Sequence, residues 1–163
     1  MVISRKTKGW PFFAAASGLV IFDQLTKYLI RQNLAEGEYI TVIPHAFDLT
    51  LVYNKGIAFG LLQGIGVFLS PFALVVAFIA WLGYARSRPN QKLFKSAMVL
   101  LAAGAVGNLV DRLVDHGKVT DFVDIKIIHI FNVADACITM AAVLLIIHWA
   151  FDFRAEADSA PKV

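Results

Sequence analysis

Apolar and polar positions divide this chain into four long hydrophobic stretches, 10–30, 66–84, 95–114 and 131–151, separated by polar segments. Each approaches the roughly 20 mostly apolar residues that a helix needs to cross a bilayer, so the pattern predicts four transmembrane helices. The first is expected to be retained, because Asp23 and Lys27 interrupt its apolar run and no small-x-small cleavage site ends it. Between the first two stretches the period changes. Residues 39–43 and 47–53 are rich in β-branched and aromatic side chains, and Phe47, Leu49, Leu51 and Tyr53 alternate with Asp48, Thr50 and Val52. A small sheet is therefore expected over about 39–62, with Pro44 between its first two runs and Asn54, Lys55 and Gly56 turning the chain before residues 57–62. No repeat or linker divides the sequence, so a single domain over 1–163 is expected, with 154–163 as a flexible tail.

Composition moves this pattern into lipid. Of the 163 residues 58% are hydrophobic and 17% charged, against roughly 45–50% and 25% in a soluble domain. With a mean hydropathy of +0.67, so small a body lacks the interior to hide its apolar side chains from water. The expected class is a mainly α, polytopic membrane protein with a small sheet outside the bilayer. A net charge of +3 does not argue for nucleic acid. The lone Cys137 excludes an internal disulfide, and His45, His116, His129 and His148 lack metal-ligand spacing, so neither metal nor cofactor is expected. Arg5, Lys6, Lys8, Arg86, Arg88, Lys92, Lys95, Arg154 and Lys162 fall on one side of the four spans, and only Arg31, Lys55, Lys118 and Lys126 on the other. The positive-inside rule then places both termini in the cytoplasm and the sheet outside.

Ionisable groups within such spans cost about 2.5 to 3.5 kcal/mol each at mid-depth, so each calls for a reason. Asp23 and Lys27 can pair at i, i+4, and the plain expectation is a structural ion pair whose lysine reaches outward toward water. Gly104, Asn108 and Asp111 share one face of the third helix, with Gly107 and Arg112 beside it. Small residues permit close helix approach and polar ones bond across it, but Asn, Asp and Arg together exceed what packing requires. After that helix come two acids, Asp121 and Asp124, which alone read as solvated loop residues. Asn132 can cap the fourth helix, and Asp135 in its first turn favours the positive end of the helix dipole. Topology adds something more, because Asp111, Arg112, the loop acids and Asp135 all fall at one depth near the outer face. Two carboxylates held close share a proton, one remaining acidic while the other activates a water for attack on a peptide carbonyl. The rivals are a small transporter using the same groups as a relay, and a scaffold in which Asp135 is only a cap. Against the relay, the stretch 66–84 contains no charged residue.

The sequence resembles the bacterial lipoprotein signal peptidases, or signal peptidase II. The resemblance lies in five blocks taken in order: Asp23-Gln-Leu-Thr-Lys27, Asn54-Lys-Gly-Ile-Ala-Phe-Gly60, Gly104-Ala-Val-Gly-Asn-Leu-Val-Asp-Arg112, Val119-Thr-Asp-Phe-Val-Asp124 and Phe131-Asn-Val-Ala-Asp135. It implies a four-helix membrane aspartic endopeptidase with a small sheet cradling the site. It further implies cleavage of diacylglyceryl-modified prolipoproteins before the lipidated cysteine, at the outer face of the bacterial cytoplasmic membrane. Asp121 and Asp135 would be catalytic, with Asp124 the competitor for the first position. Asn54, Gly56, Asn108, Asp111, Arg112 and Asn132 would line or brace the site, and Asp23 and Lys27 would stabilise its surroundings. Partners would be the lipidated substrate and membrane lipid, with no metal, cofactor or obligate protein partner. The 113–120 loop is one residue longer than the resemblance leads one to expect.

Overall fold

Four helices and three strands follow in the order α1 (Trp10–Asn33), β1 (Tyr39–Ile43), β2 (Phe47–Asn54), α2 (Leu69–Arg86), α3 (Lys92–Val114), β3 (Val119–Asp124) and α4 (Val133–Ser159). The computed structural model describes residues 9–56 and 69–159. The expected sheet segment 57–62, the first residues of the expected second span and the end of the expected tail lie outside the described residues. Helix α4 continues past Arg154, where a tail was expected, to Ser159. The sequence Arg-Ala-Glu-Ala-Asp there consists mostly of good helix formers.

Helix α3 is the central element, packing against α1, α2 and α4. Its small side chains explain why. Ala97, Ala102, Ala103, Gly104, Ala105 and Gly107 are buried, letting neighbouring backbones approach closely. The outer faces of α1, α2 and α4 instead expose large apolar groups, among them Phe22, Phe72, Ile79, Ile146 and Trp149. Among the described residues two helical segments, Lys92–Val114 and Val133–Phe151, are long and apolar enough to cross a membrane. Helix α1 is interrupted by charge, and the apolar part of α2, Ser70–Arg86, is shorter.

At Gly104 the contact between α3 and α4 is closest. A Cβ there would lie 2.5 Å from the Ala134 carbonyl oxygen and 2.6 Å from Ile138 Cγ1. Relief requires moving backbone, so Gly104→Ala is expected to destabilise the protein by about 1–3 kcal/mol despite alanine's better helix propensity. The check is a lowered melting temperature in detergent.

The sheet is antiparallel in the order β1-β2-β3. Two of its strands match the expected runs, whereas the third comes from 119–124, which alternation alone leaves as a loop. Val119, Thr120, Asp121 and Phe122 are all buried, and a strand buried on both faces shows no inside-outside alternation. Helix α3 ends where Gly117 N–H donates to Arg112 O at 2.8 Å, with His116 and Gly117 at φ 48° and 89°. This Schellman-type closure turns the chain straight into β3. Phe131 then bridges Val123, so the residue following it, Asn132, is delivered beside Thr120 and Asp121.

Candidate active site

Beneath the sheet lies a buried charged hub. Lys27 Nζ is 2.9 Å from Asp23 Oδ2 and 3.0 Å from Asp111 Oδ2, and donates to Asn108 Oδ1 at 3.1 Å. Lys27 is fully buried, which corrects the expectation that it reaches outward toward water. Two carboxylates and an amide satisfy all three ammonium protons inside the protein, so water has no advantage to offer. Asp23 uses its other oxygen to accept from Ala134 N–H in the first turn of α4 at 2.9 Å, where the helix dipole also favours a negative charge. Asp111 accepts from Thr120 N–H at 2.9 Å and so ties β3 to α3. Gly107 permits this approach, since a Cβ there would meet Asp23 Oδ2 at 2.8 Å.

Sequence reasoning missed three participants. Gln24 Nε2 reaches Asp23 at 3.1 Å, Gly107 O at 3.0 Å and Asp111 Oδ1 at 3.1 Å. Arg31 donates to Thr120 Oγ1 at 2.9 Å, 3.8 Å from Asp111, and Thr120 joins from β3. For Gln24 and Arg31 a signal existed, because positions 24, 27 and 31 share one face of α1 at i, i+3, i+7.

Above the hub, three asparagines connect Asp121 on β3 with Asp135 on α4. Asn132 Nδ2 donates to Asp121 Oδ1 at 2.6 Å, and also approaches Asn108 Oδ1 at 3.1 Å and Thr120 O at 3.2 Å. Asn108 Nδ2 donates to Asp135 Oδ1 at 2.8 Å. Asn54 Nδ2 donates to Asp121 Oδ2 at 3.1 Å, held in place because Asn54 Oδ1 accepts from the buried Gly56 N–H at 3.0 Å. Asn132 and Asp135 also form a reciprocal cap. Asp135 N–H donates to Asn132 Oδ1 at 2.9 Å, and Asn132 N–H to Asp135 Oδ2 at 3.3 Å. The capping role expected for Asn132 is thus present, together with the contact to Asp121.

Burial first, and then the negative charge of Asp135, push the Asp121 carboxyl up to about 7, against the hydrogen bonds from Asn54 and Asn132 and the charge of Lys27. Asp124, three residues on, points to the opposite face of the strand. It lies across from Asp48 in the β2–β3 register, and Lys126 Nζ bridges the two at 2.8 Å and 2.5 Å. The hydrogen bonds from Lys126 hold Asp124 below the usual carboxylate range, away from the asparagine-linked pair. Arg112, at the end of α3, lies within electrostatic range of Asp135, Asp111 and Asp121. Its Nε is buried and makes no hydrogen bond among the described residues. The ten residues singled out from sequence therefore gather around one centre, and Asp124 does not.

Chemically, the centre offers two carboxylates whose orientations are set by amide donors, with a guanidinium beside them. Comparison with known proteins shows the family. A family model described as signal peptidase (SPase) II matches residues 15–151. The lipoprotein signal peptidase of Moorella thermoacetica is 38% identical over 135 residues, covering 83% of this chain and 89% of that relative. The one from Cupriavidus pinatubonensis is 44% identical over 147 residues, covering 85% and 80%. Two solved structures of bacterial membrane enzymes are also similar. One has a TM-score of 0.85 at 31% identity over 99% of both chains, the other 0.77 at 33% identity over 90% of this chain and 96% of that one.

Proposed function

Because the chain belongs to the signal peptidase II family, we infer that Asp121 and Asp135 carry out its reaction. The protein is a membrane aspartic protease that removes the signal peptide from prolipoproteins. The observation supporting this pair is the asparagine chain, in which Asn54, Asn132 and Asn108 bind the two carboxylates and are themselves linked through Asn132 and Asn108.

One proton is shared by the pair. The ionised carboxylate takes a proton from a water positioned between the two as that water attacks the scissile carbonyl, and the protonated partner donates to the carbonyl oxygen. Arg112, whose Nε makes no hydrogen bond among the described residues, supplies positive charge for the partial negative charge that builds on that oxygen as its proton arrives. The C–N bond then breaks as the leaving nitrogen receives the water-derived proton from one carboxyl, while the other carboxylate takes a proton back from the gem-diol, so that the new acid's carbonyl forms and the pair again holds one proton.

Substrate enters sideways from the bilayer and is cut before its diacylglyceryl-modified cysteine. Burial of the acyl chains contributes roughly 0.8 kcal/mol per CH₂, and this fixes the scissile bond at the level of the aspartates. All four helices span the cytoplasmic membrane as one domain, with both termini inside and the sheet and active site near the outer face. The apolar outer faces of α1, α2 and α4 and the charge asymmetry of the loops support that orientation.

The test is incubation of the purified protein in detergent with a diacylglyceryl-modified precursor and with the same precursor lacking lipid, cleavage being read by gel shift. Cleavage of the lipidated form alone is expected. Equal cleavage of both would contradict the lipid-directed reading, and cleavage of neither would contradict the peptidase assignment.

A further inference from the structure

The reaction described above gives Lys27 no step, yet its three contacts lead toward both carboxylates of the pair. Asp23, its first acceptor, holds the N–H of Ala134, the residue before Asp135. Asp111, its second, holds the N–H of Thr120, the residue before Asp121. Asn108, its third, donates directly to Asp135.

The third contact decides more than position. A side-chain amide has one accepting end and one donating end. With Lys27 donating to Asn108 Oδ1, Nδ2 must face Asp135. A reversed amide would set NH₂ against the ammonium and oxygen against the carboxylate, two repulsive contacts where water cannot relieve them. Asn132 Nδ2 also approaches Asn108 Oδ1, but its two protons serve three acceptors, the shortest bond being that to Asp121. Lys27 has one proton for each acceptor and is the undivided donor.

We propose that Lys27 is a positioning residue for catalysis: its ammonium locks the Asn108 amide so that Nδ2 donates to Asp135 and holds that carboxylate in register with Asp121. This rests on Asp121 and Asp135 being the catalytic pair. The bland alternative is that Lys27 only neutralises Asp23 and Asp111. The charged groups around it are Asp23, Asp111 and Arg31, the last 3.8 Å from Asp111 Oδ1, with Asp121 and Asp135 also within electrostatic range and Arg112 in range of Asp111.

A charge-balanced comparison separates the two roles. Asp23→Asn with Lys27→Met leaves the net charge of the cluster as it was, so neutralisation is not at issue. Relative to the unaltered protein, whose cluster carries the same net charge, the double variant is expected to lose at least about tenfold in kcat on the lipidated precursor, with KM within roughly twofold. Equal kcat in the unaltered protein and the folded double variant would overturn the proposal. A measurement on the unaltered protein covers the case in which the double variant does not fold. In nanodiscs with ¹⁵N-labelled asparagine, the Asn108 side-chain resonance is identified by its loss in Asn108→Asp. Its protons are expected to exchange with water far more slowly than those of an exposed residue such as Asn90, and equally fast exchange would overturn the proposal. Failure of the unaltered protein to cleave the lipidated precursor is a different result, which removes the peptidase reading and this inference with it.

Discussion

Asp121→Asn and Asp135→Asn are each expected to leave a folded protein whose turnover falls by at least about 10³-fold. An amide has nearly the shape of a carboxylic acid but can neither accept the water's proton nor carry the one the pair must share. For Asp121 the change also has a structural cost. Both its oxygens accept hydrogen bonds, from Asn132 and Asn54, and an asparagine must turn an NH₂ toward one of those donors. A protonated aspartic acid avoids this conflict, because its hydroxyl oxygen still accepts while its proton points elsewhere. A modest loss of stability, about 1–3 kcal/mol, therefore accompanies Asp121→Asn. Gel-shift cleavage of the lipidated precursor, read beside a melting curve in detergent, separates the two effects. Turnover within tenfold of the unaltered protein in either folded variant would contradict the pair.

Asp121 also sets the sign of the pH response. Its carboxyl is raised from 3.8 to about 7, so between those values the folded protein binds a proton that the unfolded chain has released. Stability from this group is therefore greatest below about pH 4, declines as pH rises through that window, and is lowest above about pH 7. Activity follows the same proton, and kcat/KM is expected to fall above about pH 7 as the pair loses it. At Asp121, then, the ionised form that the proposed reaction needs comes at a cost in stability. Lys27 and the three asparagines limit that cost.

Much of this centre was legible because its signals are local. The i, i+4 spacing of Asp23 and Lys27, the i, i+4, i+7 face of Gly104, Asn108 and Asp111, and the capping pair Asn132 and Asp135 all lie within a few helical turns. What escaped depends on long-range register. Strand β3 pairs with β2 across more than sixty residues of chain, as in Val52 opposite Asp121, and its burial on both faces erases the alternation that would announce it. The separation of Asp121 from Asp124 follows from that strand, since positions three apart on a pleat face opposite ways. The direction of Lys27 escaped for a related reason. Whether a lysine reaches outward or inward depends on whether three acceptors await it inside, and two of its three come from α3, more than eighty residues away.

Asp23→Ala is expected to be strongly destabilising, because Asp23 answers two buried groups at once. Its loss removes one of the two carboxylates neutralising Lys27 and leaves the Ala134 N–H without its acceptor in the first turn of α4. Lys27 retains Asp111 and Asn108, so the ammonium is not fully orphaned. Together these losses are expected to cost about 3–5 kcal/mol, the range for breaking a buried ion pair from one side, and to lower the melting temperature by on the order of 10 °C. Arg31→Ala is the instructive contrast. Arg31 also approaches Asp111, but at 3.8 Å and with 29% of its side chain exposed, where pairing contributes less than about 1 kcal/mol. If the two variants melted together, burial would not govern the strength of this network. If Asp23→Ala alone collapsed while Asp23→Asn, which keeps an oxygen for Ala134 N–H, recovered part of the loss, the cap of α4 would account for the recovered share and the charge for the remainder.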